Sequence, residues 1–160
     1  MQRYFLRKTP LYLSALALLS HMTLAELHET EESPFDLEFR YAVKNIPHPE
    51  KVHKGGEDAW VAQSDLLVVA DGVGGWADQG VDAGLFSKQL CKDIKTLFDM
   101  EPTMHLKQAL VESVKINQNI GSSTAVLVKF HNMKEGHIQT TNLGDSGYYI
   151  FRPDENGDLV

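Results

Sequence analysis

The chain has 160 residues, of which 42% are apolar and 23% charged, a composition typical of one folded domain. Its formal net charge is −7, and because residues 1–25 hold three basic residues and no acid, the remainder carries 12 − 22 = −10. This acidity argues against nucleic acid as a partner. The single cysteine, Cys91, excludes an internal disulfide. It lies on an apolar helical stripe and is predicted to be a core residue.

Residues 1–25 have the layout of a secretory signal peptide. A basic segment is followed by an apolar stretch from Leu11 to Leu19, and Ala25 offers a cleavage point before the first acid, Glu26. We predict a signal peptide or membrane anchor here, and therefore a secretory or membrane-anchored protein whose membrane contact is this segment. A mitochondrial presequence is the alternative, because acids are absent and arginine is present.

The next segment, residues 26–38 (ELHETEESPFDLE), is acidic and without periodicity, which predicts a solvated linker. The folded domain is predicted over residues 39–160. Its first strand is predicted at FRYAV (39–43), and the prolines and glycines of NIPHPEKVHKGG (45–56) predict a loop.

Helices and strands follow further along the chain. Apolar residues recur at three- and four-residue intervals over 82–99 and again over 103–119, which predicts two amphipathic helices. Strands are predicted at 123–131, 137–143 and 147–152, joined by turns at NMKEG and GDS. DENGD is a further turn, after which Leu159 and Val160 are predicted to open another strand.

Between the loop and the first helix, EDAWVAQSDLLVVAD is predicted to fold as a β-hairpin. A turn centred on Ser64 and Asp65 pairs residues whose numbers sum to 129, so Asp58 faces Asp71 at the open end. Like charges directly opposite each other, roughly 5 Å apart, are unfavourable, and Glu57 adds a third acid next to them. Both faces of the hairpin are mainly apolar, so we expect both to be covered.

A divalent cation is the expected partner of these carboxylates. Hard carboxylate oxygens suit Mg²⁺ or Mn²⁺, and the sequence has no Cys or His cluster to favour zinc. The glycines after Asp71 would let the backbone bend so that the Gly72 carbonyl also faces the metal.

Two other interpretations use the same residues. Asp58 and Asp71 could each belong to an ordinary turn. The sequence GVGGWA (72–77) also fits the G-x-G-x-x-G/A turn of a dinucleotide-binding domain. However, the acid about twenty residues further on, Asp93, falls in a predicted helix, and Asp71 would direct a negative charge at the pyrophosphate.

Four blocks, GGEDAW, VVADGVGGW, GSSTA and TNLGDSGYY, occur in this order, and through them the chain resembles the metal-dependent protein serine/threonine phosphatases of type 2C over about 39–152. The form GVGGW followed by DQGVD is similar to the branch of mitochondrial and plant phosphatases close to yeast Ptc-seven. The resemblance implies an α+β fold, a four-layer α-β-β-α sandwich of two antiparallel sheets flanked by helices. Residues 39–160 would be an N-terminal part of it.

The resemblance also implies a centre of two Mn²⁺ or Mg²⁺ ions and a catalytic role for Asp58 and Asp71. Asp71 would bridge the two ions, Glu57 and the Gly72 carbonyl would hold the second, and Asp58 would reach the first through a bound water. Asp145, in the GDS turn, matches the family's acid for a weaker third ion. The implied reaction is hydrolysis of phosphoserine or phosphothreonine in a phosphoprotein by a metal-activated water.

The sequence departs from the family pattern in three respects. Val73 stands where many relatives have a histidine that protonates the leaving oxygen, so that proton would come from water. His53 and Lys54 are the nearest candidates for the family's phosphate-binding arginine. The family's further metal aspartates come from a C-terminal portion, so we expect residues 26–160 alone to be inactive as a phosphatase. The alternative to an enzyme is a catalytically incomplete, phosphatase-like binding module.

Overall fold

The computed structural model describes residues 37–160, which form one antiparallel sheet with strand order β1-β2-β3-β4. The strands are β1 (Asp58–Ala62), β2 (Leu66–Asp71), β3 (Ala125–Asn132) and β4 (His137–Leu143). The helices are α1 (Ala83–Met100) and α2 (Leu106–Ile116), with 3₁₀ helices η1 (Pro49–Lys54) and η2 (Gly74–Gln79). All three strand pairs are antiparallel. The parallel βαβ unit of a dinucleotide-binding domain is therefore absent from the described residues.

The register of the first hairpin is the predicted one. Asp58 pairs with Asp71, and the remaining pairs also sum to 129, from Ala59 opposite Ala70 to Ala62 opposite Leu67. Strand β3 then pairs with β2, and the following hairpin joins β3 to β4. The open ends of β1 and β2 therefore lie at the end of the sheet where β3 begins and β4 ends.

The core lies between one face of the sheet and the two long helices. Leu90, Ile94 and Phe98 of α1 follow the predicted helical period and are buried, together with alternate residues of the strands such as Leu66 and Val68. The helix predictions over 82–99 and 103–119 are confirmed to within a few residues. Cys91, as predicted, belongs to this core, and burial raises the pKa of its thiol to about 12.

The opposite face of the sheet is not covered within residues 37–160. Trp60 is 44% exposed and Val69 is 53% exposed. The prediction that both faces of the hairpin are covered is therefore wrong for the described part of the chain. The physical reason is that α1 and α2 contribute their buried residues to the same core, on one side of the sheet.

Two predicted strands are wrong. Residues 39–43 form no strand, although Phe39 donates one backbone hydrogen bond to Ser64 and its ring stacks on Phe130 at 4.2 Å. Residues 147–152 form none either, because no neighbouring ladder accepts them; Arg152 instead exchanges hydrogen bonds with Val160 across the DENGD turn. The strand predicted to open at 159–160 is reduced to an isolated bridge.

The predicted α+β class with an antiparallel sheet is confirmed, and the described residues supply one sheet and one helical layer of the sandwich implied by the resemblance. Within residues 37–160, no helix has both the length and the apolar character needed to span a bilayer. The predicted signal peptide or anchor at 1–25 lies outside the described residues, as does all but the last two residues of the predicted linker 26–38.

Candidate functional site

The candidate site begins with the two facing aspartates at the open end of the β1–β2 hairpin. Asp58 and Asp71 are direct cross-strand partners, which places two carboxylates side by side. Burial, followed by the carboxylate of Asp58, raises the pKa of Asp71, and Asp145 and Glu57 add to the increase. Asp58, Asp145 and Glu57 therefore lie close enough to Asp71 to disfavour its ionised form.

Asp71 is held at the tip of β2 by the segment that leads into β3. Its backbone carbonyl accepts hydrogen bonds from the Ser123 hydroxyl at 2.9 Å and the Thr124 amide at 2.9 Å. Its own amide donates to the Thr124 hydroxyl at 3.4 Å. A carboxylate that follows buried strand residues is thus fixed at the edge of the core rather than carried on a free loop.

Gly72 follows because the chain is crowded at this point. Its amide donates to the Glu57 carbonyl at 3.2 Å. A β-carbon at residue 72 would lie 2.8 Å from both the Glu57 and the Ala83 carbonyl oxygens, closer than such atoms approach. Only glycine therefore lets the chain pass between β1 and the start of α1.

Glu57 is buried, 7% exposed, and both of its carboxylate oxygens are hydrogen-bonded to lysines. Lys51 donates to Oε2 in a short contact, and Lys54 donates to Oε1 at 3.1 Å. Burial by itself would raise the pKa of Glu57, but the two lysine donors outweigh burial and hold this pKa below its usual value. The carboxylate therefore stays ionised at neutral pH.

The first turns of α1 fix the backbone around Glu57. Asp82 caps the helix by accepting from the Gly84 amide at 3.0 Å and also accepts from Lys54 at 2.7 Å. The Ser87 hydroxyl donates to the Glu57 carbonyl, and Lys88 donates to the carbonyls of residues 54 and 56. Helix α1 thus supports the loop that carries the buried acid.

The GDS turn is brought to the same end of the sheet. The hydroxyls of Thr124 and Ser146 lie 2.6 Å apart, so the residue that binds the Asp71 amide also holds the neighbour of Asp145. Gly144 has φ +90°, and a β-carbon there would lie 2.9 Å from the Thr124 methyl. This close approach explains the glycine of GDS and the position of Asp145.

The two predicted phosphate-binding residues lie in η1 but in different environments. Lys54 is engaged by Glu57 and Asp82, whereas the side chain of His53 is on the exposed surface of η1. Within residues 37–160, no three His, Cys, Asp or Glu side chains form a ready metal-binding group. Asp58 and Asp71 are together, but the Glu57 carboxylate is engaged by lysines.

Two known proteins similar to this chain are both named as protein phosphatases. Probable protein phosphatase 2C 26 of Arabidopsis thaliana is 36% identical over 121 residues, which cover 73% of this chain and 40% of the plant protein. Protein phosphatase PTC7 homolog fig of Drosophila pseudoobscura is 43% identical over 116 residues, covering 66% and 33% respectively. No family model matches the chain.

A solved structure agrees with these relatives. The photosystem II phosphatase PBCP superposes with a TM-score of 0.54 at 31% identity, over 62% of this chain and 40% of that one. The chain belongs to the type 2C protein phosphatase family. It spans about 40% of the length of the first of these type 2C relatives and a smaller share of several others.

Sequence reasoning on this type 2C chain did not identify the residues that support the acids. Lys51 lies six positions before Glu57 in a segment interpreted as a loop, and the 3₁₀ turn that directs it at Glu57 has no strong sequence signal. Asp82 is the last residue of DQGVD, and Thr124 lies in GSSTA; both motifs contribute to the resemblance to the type 2C family. Their roles depend on contacts between distant segments, which the sequence does not reveal.

Proposed function

We propose that the whole protein hydrolyses phosphoserine and phosphothreonine in proteins with the help of Mn²⁺ or Mg²⁺. The observation that carries this proposal is the direct pairing of Asp58 with Asp71 at the edge of the core. The names of the relatives, a probable protein phosphatase 2C and a protein phosphatase PTC7 homolog, support the same reaction class.

The acids of the candidate site and the Gly72 carbonyl have the ligand chemistry that a divalent cation requires. Their donors are carboxylate and carbonyl oxygens, the ligands that Mg²⁺ and Mn²⁺ prefer. Burial and then the neighbouring negative charge of Asp58 raise the pKa of Asp71, and a cation would neutralise that charge. On this proposal Asp71 would bridge two ions, Glu57 and the Gly72 carbonyl would hold the second, Asp58 would act through a water, and Asp145 would serve a weaker third ion.

The bound ions would supply a more acidic water and positive charge next to the phosphoryl oxygens. The protein's own residues provide the positioning. Ser123 and Thr124 fix the backbone of Asp71, and α1 fixes that of Glu57 through Ser87, so the main chain that carries these two acids needs little rearrangement. Val73 is half exposed next to these acids, and its side chain has no group that can donate a proton. The leaving oxygen therefore takes its proton from solvent.

Phosphate release from a phosphothreonine peptide in the presence of Mn²⁺ tests the proposal. The whole protein should show turnover, and Asp71→Asn should reduce it to background, because the bridging charge is lost. Asp93→Asn is the matched control, since it neutralises an aspartate in the middle of α1 that accepts a hydrogen bond from Gln89. Undiminished turnover in Asp71→Asn, or full activity in excess chelator, would show that the site is misassigned. Metal binding without turnover would favour the alternative, a phosphatase-like binding module.

We also propose that residues 1–25 direct the protein to the secretory pathway or anchor it in a membrane, with mitochondrial import as the alternative. The support is the basic, apolar and small-residue order of this segment. Fusing residues 1–38 to a fluorescent protein distinguishes the two destinations by microscopy. A diffuse cytoplasmic signal would contradict both.

A further inference from the structure

Two ammonium groups occupy the carboxylate of Glu57. Each oxygen has its own lysine, Lys51 on Oε2 and Lys54 on Oε1. The three side chains are largely removed from water, with exposures of 6% for Glu57, 27% for Lys51 and 23% for Lys54. One acceptor site on each oxygen is therefore taken by a charge-assisted hydrogen bond, next to the site that a metal ion would use.

The two lysines differ in what else holds them. Lys54 also binds Asp82 at 2.7 Å, and Asp82 is fixed by the amide of Gly84. The charge of Lys54 therefore stays compensated when its bond to Glu57 is broken. Lys51 has its ion pair with Glu57 and lies against Gly74, where a β-carbon would come 2.8 Å from the Lys51 Nζ and 3.2 Å from Glu57 Oε2.

We propose that Lys51 is a tethered competitor of the divalent cation for Glu57 and sets the metal affinity of the site. This inference rests on the proposed function, because it assumes that Glu57 is a metal ligand. One carboxylate oxygen cannot coordinate a metal ion and accept the Lys51 hydrogen bond with full strength. The positive charge of Lys51 would also repel a divalent cation bound at the Glu57 carboxylate. An ion on Oε2 must therefore weaken or displace the contact of Lys51 with this oxygen, and the cost of that change weakens metal binding.

Mn²⁺ binding to the full 160-residue chain tests the competition without an activity assay. The free Mn²⁺ signal in electron paramagnetic resonance gives the Kd at fixed pH. Lys51→Met removes the ammonium and keeps the length of the side chain, so its Kd should fall at least about threefold. Lys51→Arg keeps the charge and should not bind Mn²⁺ more tightly than the wild type. Lys107→Met, on the exposed surface of α2, controls for the loss of one positive charge and should leave the Kd within about twofold.

A second variant covers the case in which Lys51→Met does not fold, as judged by its thermal transition. Lys51→Gln keeps a polar side chain at the same position of η1 and removes the ammonium, so this variant should also bind Mn²⁺ more tightly than the wild type. An unchanged or higher Kd in the folded variants would overturn the proposal, and so would the absence of measurable binding in all of them.

Asp71→Asn separates this inference from the proposed function. If Asp71→Asn weakens Mn²⁺ binding at least tenfold but Lys51→Met does not tighten it, the competition alone is wrong. If Asp71→Asn leaves binding unchanged, the metal site is misassigned and both proposals fail.

Discussion

At the scale of single residues, the ionised carboxylate of Asp71 lowers the stability of the fold because of where it lies. It faces Asp58 across the hairpin, and its pKa is raised by burial and by neighbouring acids. An acid with a raised pKa destabilises the fold when it is ionised, and this cost disappears as the pH falls through the folded pKa toward 3.8. A site built for a cation is thus unfavourable for the chain by itself.

We therefore predict that Asp71→Asn stabilises the chain in the presence of chelator while it weakens metal binding. Relief of one opposed like-charge pair should contribute about 0.2–1 kcal/mol at pH 7. This corresponds to an increase in Tm of a few degrees, which should shrink as the pH approaches 3.8. Thermal unfolding followed by circular dichroism measures it, and a lower Tm for the variant would contradict the account.

Glu57 has the opposite pH dependence. Its pKa is held below the usual 4.5 by Lys51 and Lys54 against the effect of burial, so it contributes stability above pH 4.5 that is lost as the pH falls through the folded pKa. Glu57→Gln leaves both lysines without this partner and should cost about 1–3 kcal/mol at pH 7. Urea unfolding at a series of pH values should show this difference shrinking below about pH 4.5.

The control for Glu57 is Glu112→Gln. Glu112 forms an exposed ion pair with Lys115 on α2, and exposed pairs of this kind contribute about 0.5 kcal/mol or less. An equal loss of stability in the two variants, or a Glu57→Gln difference independent of pH, would argue against a buried pairing of Glu57 with lysines.

At the scale of elements, β3 carries a lysine on its core face. Lys129 is 3% exposed, donates to the carbonyls of Pro102 at 3.0 Å and Met104 at 2.6 Å, and lies 5.7 Å from the ring centroid of Phe98. Burial lowers the pKa of this lysine. It joins the loop between α1 and α2 to the sheet.

We predict that Lys129→Met destabilises the chain by about 1–3 kcal/mol, because the carbonyls of Pro102 and Met104 lose their donor. A lysine with a lowered pKa makes the folded state less favourable while it is charged, and this penalty is removed as the pH rises through the folded pKa toward 10.5. The advantage of the wild type should therefore widen with rising pH. Urea unfolding at several pH values measures the difference in stability, with Lys107→Met as the exposed control. A Lys129→Met variant as stable as the wild type would contradict a stabilising role for these two hydrogen bonds.

The elements that could be predicted are those whose pattern is local. Helix α1 follows from its apolar period, and the register of β1 and β2 follows from the turn at Ser64 and Asp65. The segments 39–43 and 147–152 have strand-like composition, but a strand also needs a partner, and composition does not show one. Lys129 is an exception to the apolar pattern on the core face of β3. It is tolerated there because its ammonium donates hydrogen bonds to two carbonyls that are distant in sequence.

At the scale of the whole molecule, the candidate site is the edge where β1, β2 and the GDS turn meet. The sequence predicted the opposition of Asp58 and Asp71, because hairpin register is a matter of counting. It did not predict that Lys51 engages Glu57 or that Thr124 links Asp71 to the GDS turn, because these contacts join segments far apart in the chain. The proposed metal ligands remain a prediction.

The far end of the same sheet provides an internal reference for that prediction. Strand β4 begins at His137, whose Nδ1 lies 3.1 Å from the carboxylate of Glu135, while the strand ends at Leu143 on the side of the aspartates. Seven residues of strand separate the two ends by about 20 Å. A paramagnetic ion bound at one end can therefore be distinguished from an ion bound at the other.

Broadening of backbone amide signals by substoichiometric Mn²⁺ in the ¹⁵N-labelled chain tests the cation site most directly. We expect the signals of Asp58, Asp71 and Gly72 to weaken first, and those of Glu135 and His137 to persist at the same Mn²⁺ concentration. Broadening that begins at Glu135 and His137, or that is uniform along the chain, would contradict the assignment of the cation site to the paired aspartates.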